Sequence, residues 1–322
     1  MRVLRCAALA AIALVTAAGA QMPRPAARDA LVQRAAEALA RGDASAALRD
    51  YEVAAMQEHA ANIEQGIERS LMLAGHYRRA LAFAAHTAQA HPDAPAGASV
   101  YAQQLEAGGQ RAMAARVRPP GAVSTATAPA LATGVLIDAG RHAVLPLRAL
   151  QEASTVELRD GLGRVLAAQV VQRDAALGLG LLRLDVPQAE APRPAWAARD
   201  AFAGSVAFAV AAAPAPAGAP PWPHLHSGFV AANGLGIELA GDAHGGAVFD
   251  RAGRVIGIAL KGADGVDRLV GATALRSWLG ELLGPPSAEI GAALAAPASA
   301  LALDAIYESA LRVTVQLRAS PP

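Results

Sequence analysis

The apolar pattern of this chain changes period once, and the change falls across PPGAVSTATAPA, residues 119–130. Ahead of it, over 26–118, β-branched residues are few and apolar side chains recur at helical spacing: Leu31, Ala35, Ala38 and Leu39, then Leu48, Tyr51, Ala54 and Ala55. Behind it come short apolar runs separated by Gly, Pro and Asp: ATGVLID, HAVLPL, STVELRD, VLAAQVV, LGLLRLD, SVAFAV, SGFVAA, GIELA and RVIGIAL. Many short strands with few helices predict a barrel or a sandwich. The chain therefore reads as multi-domain α + β, helices first, with 119–130 as the linker. Residues 187–194 and 211–223 read as the connection between two β halves and a long surface loop, with His224 still in that loop because Pro-Trp-Pro precedes it. One further helix is expected over Ala272–Leu283, and a second linker, rich in Pro and Ala, over 285–300.

Within the helical part, Gly42, Gly75 and Gly109 are spaced 33 and 34 residues apart. Gly42-Asp43 is followed by Ala47-Leu48-x-x-Tyr51, Gly75-His76-Tyr77 by Ala80-Leu81-x-x-Ala84 and then Pro92, and Gly109 by Ala114. That period, with small residues where paired helices cross, resembles the tetratricopeptide repeat. The resemblance implies helical hairpins that stack because none buries its apolar face alone; an alanine-rich helical bundle is the other reading. Tyr51, Tyr77, Tyr101 and Leu105 are read as core between hairpins rather than as the lining of a peptide groove. Arg78, Arg79, Arg111, Arg116 and Arg118 are read as a solvated face rather than an anion-binding patch.

The start, MRVLRCAALAAIALVTAAGAQ, places Arg2 and Arg5 before a short apolar run that ends in Ala18-Gly19-Ala20. It reads as a signal peptide over 1–20, cleaved after Ala20, for a periplasmic or secreted protein. The run is short for a bilayer span, and no membrane span is expected after cleavage. Cys6, the only cysteine, lies in this segment, so the processed chain would have none. A length of 322 residues suits two domains, and a formal net charge of +1 argues against a nucleic-acid partner. No cofactor is expected, and oligomeric state is not legible.

Three later stretches, TGVLIDAGRHAVLPLRAL, VVQRDAALGLGLLRLD and HSGFVAA with GDAHGGAVFDRAGRVIGI, together resemble the exported, high-temperature-requirement type of trypsin-like serine protease. TGVLIDAGRHAVLPLRAL is similar to that family's first-barrel signature, G-S-G-F-I-I-D-A-x-G-Y-I-V-T-N-x-H-V-V. The match runs ungapped from Asp138 and sets Arg148 where the family has its catalytic histidine. VVQRDAALGLGLLRLD is similar to V-x-x-D-x-x-x-D-[IL]-A-[LV]-L-[KR]-[IL], so Asp174 meets the first aspartate and Gly178 meets the catalytic one. HSGFVAA and GDAHGGAVFDRAGRVIGI resemble S-G-I-V-S and G-N-S-G-G-A-L-[VF]-[ND]-x-x-G-x-[VL]-I-G-I. Without a gap His244 takes the serine position; with one inserted residue Ala243 does. The patterns keep the family's order over 131–280 and imply a C-terminal all-β, trypsin-like double β-barrel across 131–284.

The same resemblance implies lost chemistry. Acyl transfer by such an enzyme needs a hydroxyl, an imidazole base and a carboxylate that orients it. Arginine stays charged and accepts no proton, glycine has no carboxylate, and neither histidine nor alanine forms an acyl-serine. The expected catalytic set is therefore empty, with Arg148, Gly178 and His244 (or Ala243) as degenerate triad positions and Asp242, Ala243, His244 and Gly245 as a vestigial cleft. Asp242, where a glycine would offer its N–H, would repel a developing oxyanion. His142 stands six residues before the histidine position, Asp174 is accounted for by the motif, and Ser227 has a counterpart in the family's SG strand, so none is read as a substitute. His224, His226 and His244 with Asp242 could ligate zinc, but they are read as incidental and no metal is expected.

A non-catalytic scaffold or adaptor in the cell envelope follows, with a protein or extended peptide held by strand addition as partner. The alternatives are an active endopeptidase with an unrecognised nucleophile and a purely structural repeat protein. Finally, IYESALRVTVQLR, within 301–318, resembles the segment that opens the first barrel in this family. The expectation is that Leu311–Leu317 returns to fill that place, with Val313 and Val315 on one face and Thr314 and Gln316 on the other. Otherwise GAVSTAT supplies the strand and the tail is loose.

Overall fold

The computed structural model describes residues 25–119, 132–188, 191–212, 222–237, 239, 245–262, 265–284 and 300–318. The signal segment, residues 120–131 and residues 285–299 lie outside the described residues. Six helices come first: α1 (Pro25–Ala40), α2 (Ala44–Ala55), α3 (Ala61–Leu73), α4 (Tyr77–Ala90), α5 (Pro95–Ala107) and α6 (Arg111–Val117), each packed on the next. Gly42, Gly75 and Gly109 follow α1, α3 and α5 with φ of 80°, 76° and 81°. The N–H groups one residue later, on Asp43, His76 and Gln110, donate back to the carbonyls of Ala38, Leu71 and Leu105. The glycine N–H groups donate to Leu39, Met72 and Glu106. This closure requires a left-handed residue after the helix, which glycine adopts without a Cβ penalty. The glycine period is thus the period of three equivalent hairpin turns. Packing between helices also depends on small residues, since a Cβ on Gly66 would lie 2.3 Å from the Tyr51 ring.

The strands are β1 (Ala132–Ile137), β2 (His142–Pro146), β3 (Thr155–Asp160), β4 (Val165–Asp174), β5 (Leu179–Leu184), β6 (Val206–Ala211), β7 (His224–Ala231), β8 (Gly234–Gly236), β9 (Ala247–Phe249), β10 (Val255–Lys261), β11 (Asp267–Gly271) and β12 (Thr314–Leu317). With them come α7 (Leu147–Leu150), α8 (Ala272–Leu279) and α9 (Leu303–Leu311). The first sheet closes into a barrel in the order β1-β12-β3-β4-β5-β2, and the second runs β11-β10-β9-β6-β7-β8. Its two edges approach, because a Cβ on Gly234 of β8 would meet the Asp267 carbonyl of β11 at 2.5 Å. The C-terminal part is therefore all-β with two barrel-like sheets. Three local readings change. The strand read over GIELA starts earlier and ends at Gly236, because β8 pairs with the end of β7 across the short turn that joins them. His224 opens β7 opposite Ala211 instead of lying in a loop, since β6 runs far enough to pair with it and the preceding prolines stop at the strand start. The helix from Ala272 ends at Leu279, and Gly280–Leu283 is a 3-10 turn.

The same turn closes a hairpin in each half. Asp160 Oδ1 accepts from the N–H groups of Leu162 and Arg164, and its Oδ2 accepts from Arg164 Nε. Asp250 does the same for Ala252 and Arg254. Gly163 and Gly253 take φ of 99° and 74° in these D-x-x-G-R turns.

The C-terminal segment ties the parts together. β12 pairs antiparallel with β1 on one side and β3 on the other. It begins at Thr314, because Leu311 is the last residue of α9 rather than the first of the strand. Val315 and Leu317 point into the barrel with Leu136, Leu145, Leu158 and Leu182, while Val313, in the turn, joins a different apolar cluster. Thr314 and Gln316 are buried on the opposite face. On α9, Tyr307 meets the Tyr77 ring edge-on at 4.6 Å and donates its hydroxyl to the Pro223 carbonyl at 2.6 Å. Arg312 donates to the Gly75 carbonyl. Arg78 donates through its backbone N–H to Glu308 and through its guanidinium to Asp304. Arg111 reaches His226 on β7 at 2.9 Å. Arg78 and Arg111 therefore join helices to β-domain, where the sequence suggested only a solvated face. One apolar cluster runs from Tyr51 and Leu71 through Ile306 and Leu311 to Val135 and Ile258.

Candidate functional site

Two segments that carry candidate residues meet beside the junction of the barrel and the second sheet. Behind Pro146 the chain turns into α7, which presents Arg148 at the surface. The turn before β5 is shaped by Asp174, whose Oδ1 accepts the Leu177 N–H at 2.9 Å, and by Gly178 at φ 71°. Leu147 donates its N–H to the Gly178 carbonyl at 2.8 Å, which makes the segments bearing Arg148 and Gly178 neighbours. A side chain at Gly178 would start 3.6 Å from Leu260 Cδ1 of β10, so that place borders an apolar wall.

A third segment, Gly245–Gly246, precedes β9. A Cβ on Gly245 would stand 2.1 Å from the Thr133 carbonyl and 2.3 Å from Pro146 Cδ. One on Gly246 would stand 1.7 Å from the Val210 carbonyl. The Gly246 carbonyl accepts from Ala259 at 3.0 Å, and the Thr133 hydroxyl accepts from Ala212 at 2.8 Å. These contacts wedge the Gly-Gly pair between the barrel strands β1 and β2 and the second-sheet strands β6 and β10. Only backbone without side chains fits there. Asp242, Ala243 and His244 lie outside the described residues.

The remaining candidates lie on other segments. His142 pairs with Asp138 at 3.1 Å at the opposite end of β2 from Pro146, about 13 Å away at ordinary strand rise. Ser227 is exposed on β7 opposite Phe208. His226 is held by Arg111, and burial, aided by Arg111 and opposed by Glu106, lowers the pKa of His224. Tyr51, Tyr77 and Leu105 are buried and Tyr101 is half-buried, which places the first three in the core. Sequence reasoning missed β9, hidden because three residues carry too little alternation to be seen, and β11, none of whose residues is fully buried. It also missed the Leu147–Gly178 bond, which has no local signature. Chemically, the described part of the convergence offers a permanent cation and backbone amides, and no proton acceptor comes from Arg148 or Gly178.

Residues 132–258 match the family model described as a trypsin-like peptidase domain. Among solved structures the chain is similar to the serine endoprotease from Yersinia pestis, at 19% identity and a TM-score of 0.38, covering 47% of this chain and 57% of that one. This chain thus spans less than two thirds of that protein's length. No match was found among curated proteins. The fold of the C-terminal part is that of a trypsin-like double barrel.

Proposed function

We propose that this chain is an exported, non-catalytic relative of the trypsin-like proteases that binds protein or extended peptide, its tetratricopeptide-like hairpins and its cleft serving as a scaffold in the cell envelope. The observation that carries the reading is the pairing of α7 with the turn before β5. The bond from Leu147 to Gly178 supports it, because Gly178 and Arg148, next to Leu147, are the residues that the sequence resemblance aligns with the orienting carboxylate and the base such a hydrolase needs. Losing the nucleophile or the base alone costs such an enzyme on the order of a million-fold in turnover. The residues that the sequence sets at the serine position, His244 or Ala243, offer no hydroxyl either.

A fluorophosphonate probe and a casein-release assay on the purified chain test this directly. The expected result is no labelling and no release, together with saturable retention of unfolded polypeptide. Labelling of one serine, with hydrolysis abolished when that serine is replaced, would establish an enzyme instead. Retention that is unchanged by Arg148→Trp, which puts a bulky ring at the exposed α7 position beside the Gly178 turn, would favour the purely structural role of the β-domain.

A further inference from the structure

The helical region holds a cluster unrelated to the protease-like cleft. Glu64, in the first turn of α3, is a carboxylate with a side chain 2% exposed, and the groups facing it are Thr87, His59, His86 and His91. His59 lies in the loop before α3, His86 on α4, and His91 caps the end of α4. His59 Nδ1 is 3.3 Å and His86 Nε2 3.7 Å from Glu64 Oε1, and the three ligand atoms lie within 4.8 Å of one another. On the other oxygen, Oε2, Thr87 donates its hydroxyl at 2.8 Å and His91 Nε2 stands 3.5 Å away, buried and without a hydrogen bond.

We propose that His59 Nδ1, Glu64 Oε1 and His86 Nε2 form a zinc-binding site that staples the loop before α3 to α4. Imidazole and carboxylate are the donors zinc takes in three-ligand sites, at about 2.0–2.2 Å. Two such ligands at tetrahedral angles are about 3.3 Å apart, which is the spacing that Glu64 Oε1 keeps from His59 and approaches with His86. Thr87 and His91 occupy the second carboxylate oxygen and so turn Oε1 toward the histidines, the orienting role outer partners have in metal sites. A buried carboxylate needs a compensating charge, and a divalent cation held between Glu64 Oε1 and the two imidazoles would supply it. His59 and His86 are both exposed, which leaves a path for the ion and an open coordination position for water.

The test is titration of the tag-free full chain with Zn²⁺ alone, followed by calorimetry, with Co²⁺ absorption as a readout independent of stability. One equivalent is expected to bind saturably, raise the melting temperature and give an intense visible cobalt band. His59→Ala and His86→Ala should each weaken binding by more than tenfold and remove the band, Thr87→Val should weaken it about tenfold, and His142→Ala should change nothing. Because His59 and His86 are exposed, both variants should keep the far-ultraviolet circular dichroism of the parent. Absence of saturable uptake would overturn the proposal. So would uptake that survives both His59→Ala and His86→Ala, as binding at His224 and His226 would.

Discussion

Removing residues 301–322 should unfold the first barrel. The deletion takes away α9 and β12 and with them Ile306, Tyr307, Leu311, Val313, Val315 and Leu317, all 3% exposed or less. At about 1.5–3 kcal/mol for each large apolar side chain, the six contribute on the order of 9–18 kcal/mol of burial. Compactness of the unfolded chain reduces such figures by roughly 10–40%. What remains still rivals the roughly 5–15 kcal/mol that holds a whole domain together. The loss also turns β1 and β3 into unpaired edges, inviting aggregation. The assay is urea unfolding followed by near-ultraviolet circular dichroism and tryptophan fluorescence. The truncated chain should show no cooperative transition for the β-domain, and a synthetic peptide spanning 300–318 should restore part of it. A truncated chain that unfolds at the parent's urea midpoint would refute the reasoning, since β12 would then contribute nothing to the barrel.

Smaller changes test single contacts. Tyr307→Phe leaves the buried Pro223 carbonyl without its donor and should cost about 1–3 kcal/mol by the same urea assay; no change would mean that the hydroxyl is not needed there. Gly66→Ala improves helix propensity yet should destabilise by about 1–3 kcal/mol, because the added methyl enters the Tyr51 ring; a higher melting temperature would contradict that packing. Burial raises the Glu68 carboxyl to about 8, against the Arg69 charge and the Gln104 hydrogen bond. Its unfolded pKa is about 4.3, so the folded state keeps a proton that the unfolded state releases. Stability is full below about pH 4 and falls as pH rises through 8. Glu68→Gln should therefore melt like the parent near pH 4 and well above it near pH 9, by at most about 5 kcal/mol; parallel melting curves across that range would count against a raised carboxyl.

What could be read from the sequence divides along physical lines. The glycine spacing was readable because each hairpin turn needs a left-handed residue, and glycine marks that need wherever it occurs. Barrel strands such as ATGVLI were readable as continuous apolar runs because both faces of β1 are buried. The placement of His224 was misread because whether a residue after proline enters a strand depends on its partner, here Ala211, which lies across a long connection. The roles of Arg78 and Arg111 were misread for the same reason: their partners Asp304, Glu308 and His226 are far away in sequence. The cluster around Glu64 escaped notice because His59 and Glu64 come from one segment and His86 from the next helix. No spacing rule links them.

Packing and chemistry place different demands on the protease-like cleft. Gly245 and Gly246 are surrounded by backbone so closely that any Cβ would collide, a requirement independent of catalysis. Gly178, with only Leu260 Cδ1 near its open side, carries no comparable packing duty. Position 178 is therefore limited by backbone conformation rather than by space, whereas the wedge at 245–246 admits no side chain. Gly178→Asp probes this asymmetry. Its φ of 71° is left-handed, costing a non-glycine residue about 1–2 kcal/mol, and the new carboxylate would face Leu260. The variant should lose about that much stability and gain no reactivity toward a fluorophosphonate, because Arg148 beside it still cannot accept a proton. A Gly178→Asp chain as stable as its parent would show that the left-handed turn costs an aspartate nothing, and this contrast with 245–246 would have to be given up.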